Sequence, residues 1–324
     1  MKRREALKNG MMGVGALTLF PSLQKLQKLM GSPYNEGQIP LGVQLFTIPK
    51  LVDQDFKGTL ELISKLGYKE VEFFGPYPFS AQEAIDGWNE FKPMLGLEND
   101  AFYGHTIEET AQILKDLGLT VPSMHTDFIS LRKELDRMLD EVSKLNTKYL
   151  VLPAIQEEKD TLDDYKRFAE EFNGFGEKMA KYGIQFVYHN HGYEHTERDG
   201  EIPMHYLLNN THEDHVKFEL DIFWMQAAGA DPIQFLKEYP TRYKMLHLKD
   251  ASQEFRFTGD GSSPDQWMAG FPLMTDPGDG VYDIKGIIDQ AKTSGVEHYY
   301  LERDIAPNPK ETLRNSYDNL LKLS

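Results

Sequence analysis

The amino-acid sequence predicts an α/β fold, a single (β/α)8 barrel, and three observations predict it. Strand-like and helix-like segments alternate from residue 41 to the end, enough for eight strand–helix units. No Gly-x-Gly-x-x-Gly follows the first strand, which argues against an open doubly wound sheet. Four of the later strand segments end in residues able to bind a divalent cation: QFVYHNHGYE at 185–194, VKFELD ending at Asp221, YKMLHLKD carrying His247 and HYYLERD carrying Glu302. In a closed parallel barrel the C-terminal strand ends converge, so these residues are expected to meet at one site.

Each element has its own signal. Leu41–Thr47 reads as the first strand and Asp55–Leu66 as its helix, with Gly67 as the C-cap. Lys69–Phe74 is the second strand. Residues 75–104, rich in turn formers and aromatics, read as a long loop of the kind that carries binding function. Thr106–Leu117 is the second helix, Thr120–His125 the third strand and Leu131–Leu145 its helix. Lys148–Leu152 is strand four, closed by Pro153. Leu162–Tyr182 has helical periodicity and stops before Gly183, and Ile184–His189 is strand five. A short helix near Met204–Asn209 leads to strand six at Val216–Asp221. Asp231-Pro232 opens the sixth helix, aspartate as N-cap and proline at the first helical position. Tyr243–Leu248 is strand seven, and a second long loop runs from Asp250 to Val281. Ile284–Thr293 is helix seven, His298–Leu301 strand eight and Pro309–Leu321 the closing helix.

The N-terminus reads differently from this body. Residues 1–30 carry Arg3-Arg4-Glu5-Ala6-Leu7-Lys8 and then an uncharged run from Asn9 to Leu23, a basic region followed by a short apolar one. This looks like a twin-arginine export signal, so a periplasmic or otherwise exported location is expected. Its apolar core, Met11 to Phe20, is too short for a stable membrane anchor. Residues 31–40 read as a linker, and 41–324 as the barrel. The basic first 30 residues carry a net +5, so the formal charge of −16 leaves −21 on the rest, a surface that repels nucleic-acid backbones. With no cysteine in the chain, thiolate ligands, disulfides and a cysteine nucleophile are excluded. A homo-oligomer is compatible with the sequence.

His189, Asp221, His247 and Glu302 form a mixed nitrogen and oxygen donor set. Such a set suits one Mn²⁺, Zn²⁺, Co²⁺ or Fe²⁺ ion more than Ca²⁺. A metal of this kind polarises a carbonyl and stabilises the enolate left when the neighbouring proton is removed. The base must lie within hydrogen-bond reach of that proton, and Glu302, Lys249, His125 and His191 are the candidates. His191, Glu194, Trp224 and Glu72 are candidates for substrate contact, Glu72 and Gln44 having the strand parity to point inward. Tyr103 and Phe128 could stack on a ligand face, although aromatics at such positions are by default core, and His105 reads as a surface residue.

With GVQLFT at 42–47, VEFFG at 71–75, SMHTD at 123–127, DIFWMQAAGADP at 221–232, HLKD at 247–250, GDGVYDIKGII at 278–288 and YLERD at 300–304, the chain resembles a known family. These are the xylose-isomerase-like sugar (phosphate) isomerase/epimerase TIM barrels, whose relatives include ketose 3-epimerases, inosose dehydratases and the endonuclease IV type of repair enzyme. The resemblance implies metal ligands Glu, Asp, His, Glu on strands five to eight, which Asp221, His247 and Glu302 match. His189 stands where relatives place the first glutamate, and Trp224 where many have a histidine. The expected function is a metal-dependent isomerase or epimerase on a keto-sugar or related carbohydrate, working by enolisation. The alternative is a 3-keto-glycoside lyase or inosose-type dehydratase that shares the enolate step. A phosphodiesterase is disfavoured by the acidic charge and the missing histidines; a non-catalytic sugar-binding barrel would need no metal.

Overall fold

Strands such as Tyr149–Leu152 and Val216–Asp221 are buried at every position, which alternation between a core face and a wet face cannot produce. Strands covered by helices outside and by packed side chains inside give this pattern. The computed structural model describes residues 39–100 and 102–324; the signal reading of 1–30 and nearly all of the linker at 31–40 lie outside the described residues. The strands are β1 Leu41–Gln44, β2 Glu70–Glu72, β3 Ser123–His125, β4 Tyr149–Leu152, β5 Gln185–His189, β6 Val216–Asp221, β7 Tyr243–Leu248, β8 Asp250–Ala251, β9 Met274–Thr275 and β10 His298–Leu301.

Eight of them form one parallel sheet in the order β2-β1-β10-β7-β6-β5-β4-β3. Its two ends meet through isolated parallel bridges between Glu70 and Thr120 and between Phe73 and Met124, so the barrel is nearly closed. The remaining pair, β8 and β9, is a short antiparallel ladder. Among the described residues no helix is long and apolar enough to cross a membrane.

The barrel interior is lined by every second residue of its strands. Tyr149, Val151, Val187, Met245 and Tyr300 form an apolar cluster of their own there, separate from the large core that packs the helices onto the strands. Val187, Met245 and Tyr300 lie two residues before His189, His247 and Glu302, so period two puts all six on the inner face and sets the polar residues above an apolar floor. The fit is close at Gly42, where an added Cβ would lie 2.5 Å from the Tyr300 ring.

Four expectations need correction. The first strand stops at Gln44, because its side chain accepts the Phe46 N–H at 3.0 Å and starts a 3-10 turn over Leu45–Thr47. The segment 75–104 holds a helix, Gln82–Phe91, with no buried residue and no side-chain N-cap, so neither usual helix signal marks it. Residues 131–145 are not one helix but Phe128–Lys133 and Leu135–Val142, separated at Glu134 and followed by a 3-10 turn. The first starts early because Asp127 caps it, accepting from Ser130 N at 2.7 Å. The second long loop contains β8, β9 and a helix at Pro264–Gly270.

Candidate active site

The site grows from the C-terminal end of β6. Asp221 ends that strand and is also the N-cap of the helix Ile222–Ala227: its Oδ1 accepts from Phe223 N and Trp224 N, both at 2.9 Å. Only Oδ2 is then free to face the barrel, where His189 Nε2 lies at 3.3 Å and Lys249 Nζ at 2.9 Å. Asn190 locks the two strand ends together, its Oδ1 accepting from Asp221 N at 3.0 Å and its Nδ2 donating to Asp221 O at 3.2 Å.

His247 joins two groups of donors. On one side its Nε2 lies 2.7 Å from Glu72 Oε2 and 3.1 Å from Glu219 Oε1. His125 Nε2 completes that group at 3.1 Å from Glu72 and 3.0 Å from Glu219. Gln44 Nε2 and Ser123 Oγ also donate to Glu72. On the other side His247 Nδ1 is 2.6 Å from Glu302 Oε2, which Lys249 Nζ also approaches at 2.8 Å. Lys249 has a third carboxylate, Asp304 Oδ2, at 2.8 Å. All of these side chains are buried.

Burial and charge sort their protonation states. His125 is held up at about 9: burial opposes its charge, but Glu72 and Glu219 outweigh it. His247 is raised in the same way, burial opposing and Glu219 and Glu302 prevailing. His189 and His191 are pushed well below the ordinary imidazole range, first by burial and then by their neighbours, His247 for the one and His189 and Lys249 for the other. Glu72 and Glu302 lie below the carboxylate range, because the adjoining cations overcome the cost of burial. Burial also opposes the charge on Lys249, yet Asp221, Asp304 and Glu302 hold its ammonium well above the usual lysine value. Asp304 is pushed up to about 7, chiefly by burial.

These residues fit a divalent metal. Two sets of donor atoms, one of Glu72, His125, Glu219 and His247 and one of His189, Asp221 and His247, each lie within 4.8 Å of one another. His189 Nδ1 is buried without a hydrogen-bond partner, and His247 Nδ1, Glu219 Oε1 and Glu302 Oε2 make no well-directed hydrogen bond despite ion-pair neighbours at 2.6, 3.1 and 2.8 Å. Buried polar atoms are rarely left so, and a shared cation would satisfy several at once.

The structure brings together nearly all the residues that the sequence singled out. His189, Asp221, His247, Glu302, Lys249, His125 and Glu72 form one network. His191 and Trp224 border it, stacked with ring centroids 6.0 Å apart, and Lys249 Nζ sits 5.3 Å from the Trp224 ring centre. Glu194 is fully buried, its carboxylate accepting from the Tyr188 hydroxyl and from His191 N at 3.2 Å, so it fastens the loop that carries His191. Gln44 is spent on Glu72, a structural pairing. Phe128 packs among Phe168, Phe172 and Phe175, in the core. Tyr103 and His105 both pack on Phe56 and border a separate cavity of about 340 Å³ with no member of the network in its wall. Sequence reasoning missed Glu219 and Asp304. Parity marks Glu219, two residues before Asp221, whereas Asp304 lies past the end of β10, where alternation gives no direction.

The family model described as xylose isomerase-like TIM barrel matches residues 60–322. Among curated proteins, an inosose dehydratase of Lacticaseibacillus casei is 30% identical over 159 residues, 47% of this chain and 52% of that protein. The chain thus spans about half the length of this relative. Among solved structures, a sugar phosphate isomerase/epimerase from Parabacteroides distasonis superposes with a TM-score of 0.68 at 22% identity, covering 88% of this chain and 94% of that one. The IolI protein, solved with a bound zinc atom, gives a TM-score of 0.63 at 18% identity over 88% of this chain and 96% of that one. At such identities the two structures share the fold.

Proposed function

The chain belongs to the xylose isomerase-like TIM-barrel family, and from that premise we propose that it is a metal-dependent dehydratase or lyase acting on a keto-sugar or cyclitol ketone. The proton beside the carbonyl is removed, and a β-hydroxyl or β-linked group then leaves. The similarity to inosose dehydratase favours this elimination over the isomerisation first expected. Within the site, one observation carries the reading: two further imidazoles, His191 and His125, stand beside His189 and its neighbouring donors. His191, held neutral by burial, lies 4.8 Å from His189 between ring centres; His125, held cationic, lies 5.5 Å from His189 on another side.

In this reading His189, Asp221, His247 and Glu302 would hold one divalent ion, with Mn²⁺, Zn²⁺, Co²⁺ and Fe²⁺ all suited to the donors. When bound, such an ion polarises the substrate carbonyl and stabilises the enolate. His191 accepts the α-proton at its unpartnered Nδ1, the electron pair forms the new C=C bond as the β C–O bond breaks, and His125 gives its proton to the departing oxygen. The sum is loss of water, or of an alcohol from a glycoside, with no redox change. Trp224 supplies an apolar wall beside His191, and Lys249 acts as a positive charge paired with carboxylates rather than as a base.

The test is a product screen on inosose and on 3-keto-glucosides with metal-loaded protein. Release of water or aglycone, an unsaturated ketone product and a primary isotope effect from an α-deuterated substrate are expected. Deuterium from D₂O entering recovered sugar with no elimination would instead establish isomerase or epimerase chemistry. Full activity after exhaustive chelation would remove the metal from the scheme.

A further inference from the structure

We propose that Lys249 is the resident cation of the metal centre: its ammonium neutralises Asp221 and Glu302 while the centre is empty and withdraws onto Asp304 when a divalent ion takes those two carboxylates. The inference rests on the reading that Asp221 and Glu302 are metal ligands. Lys249 Nζ lies 2.9 Å from Asp221 Oδ2 and 2.8 Å from Glu302 Oε2. These are the oxygens that also face the imidazoles, at 3.3 Å from His189 Nε2 and 2.6 Å from His247 Nδ1. Asp221 has no second oxygen to offer, because Oδ1 is committed to Phe223 N and Trp224 N. An incoming ion and the ammonium therefore compete for the same atoms.

Buried carboxylates without a countercharge are strongly unfavourable, so a centre with Asp221, Glu302, Glu72 and Glu219 all buried needs positive charge before any metal arrives. His125 and His247 face Glu72, Glu219 and Glu302, and Lys249, 2% exposed, adds the charge that faces Asp221 and Glu302 from inside. Asp304 gives the arrangement its second position. Its Oδ2 accepts from Lys249 at 2.8 Å, and among the described residues Lys249 is its ion-pair partner, with no imidazole in contact. The lysine thus keeps one carboxylate partner when it loses the other two, and the Trp224 face lies 5.3 Å from Nζ beside the present contacts.

The experiment is calorimetric titration of metal-free full-length protein with Mn²⁺ and with Zn²⁺, together with thermal melts with and without ion. Removing the competitor in Lys249→Met should lower the melting temperature of the metal-free protein and tighten ion binding at least about tenfold, which is roughly 1.4 kcal/mol. Asp304→Asn should act the opposite way, weakening ion binding several-fold because the lysine has lost its place of withdrawal. A lysine with only a structural role would give equal or weaker binding in Lys249→Met, and that result overturns the inference. Should Lys249→Met fail to fold, Asp304→Asn decides alone, since unchanged affinity there excludes withdrawal. Absence of ion binding by the wild-type protein would refute the metal reading itself, an outcome separate from any difference between variants.

Discussion

Glu219 touches both histidines that face Glu72, with oxygens 3.0 Å from His125 and 3.1 Å from His247. Its charge helps to keep His125 protonated at neutral pH, so Glu219→Gln should lose most activity in the elimination assay, about 10²-fold or more, the scale of a lost general acid. The same residue sets a pH signature. His125 is held at about 9 against an ordinary 6.5, so its charged form stabilises the fold fully below about pH 6.5, and that contribution fades as pH rises through 9. Thermal melts of metal-free wild type should therefore decline across this window, and those of Glu219→Gln should decline less. Equal slopes would show that Glu219 does not support the His125 charge. That Asp221, His247 and Glu302 meet at one end of the barrel could be read from the sequence, because each sits at or beside the end of a strand segment. Glu219 was harder to see: between Lys217 and Asp221 it looks like one more polar residue on a wet face, and only burial inside the barrel reverses that reading.

Among the elements, helix starts were the most readable features, since a cap is local chemistry. Asp55, Thr106 and Asp231 each accept a backbone N–H at the helix they open. Thr161 does so for Leu162–Ala180, the longest helix among the described residues, in a reciprocal box with Asp164. Thr161→Ala should cost about 1 kcal/mol of stability, seen as a lower urea midpoint at unchanged slope, with metal affinity unaltered. A matching fall in metal affinity would mean that this helix positions the site directly. The helix Gln82–Phe91 stayed hidden because it buries nothing, and the break at Glu134 because hydrophobic spacing runs on through it.

For the whole molecule, the eight-unit barrel could be read from alternation and from strand ends of like chemistry, but the way it closes could not. The sheet's two edges, β2 and β3, meet through isolated bridges and a few main-chain bonds, among them Val71 N to Thr120 O at 2.9 Å and His125 N to Phe73 O at 2.8 Å. Across that same line Ser123 Oγ donates to Glu72, and His125 Nε2 stands 3.1 Å from it. The barrel's thinnest joint is therefore clasped by the carboxylate that also serves the site, and chemistry and closure share one fastening. Unclasping it should be visible as local breathing: in Glu72→Ala the amides of Val71 and His125 should exchange with deuterium faster than in wild type, while those of β6 and β7 keep their protection. Exchange that quickens evenly around the barrel would mean the clasp is only a contact. If the two edges alone loosen, filling the site becomes a way of tightening the cylinder, and a bound ligand would be felt as stiffness along one side of the protein.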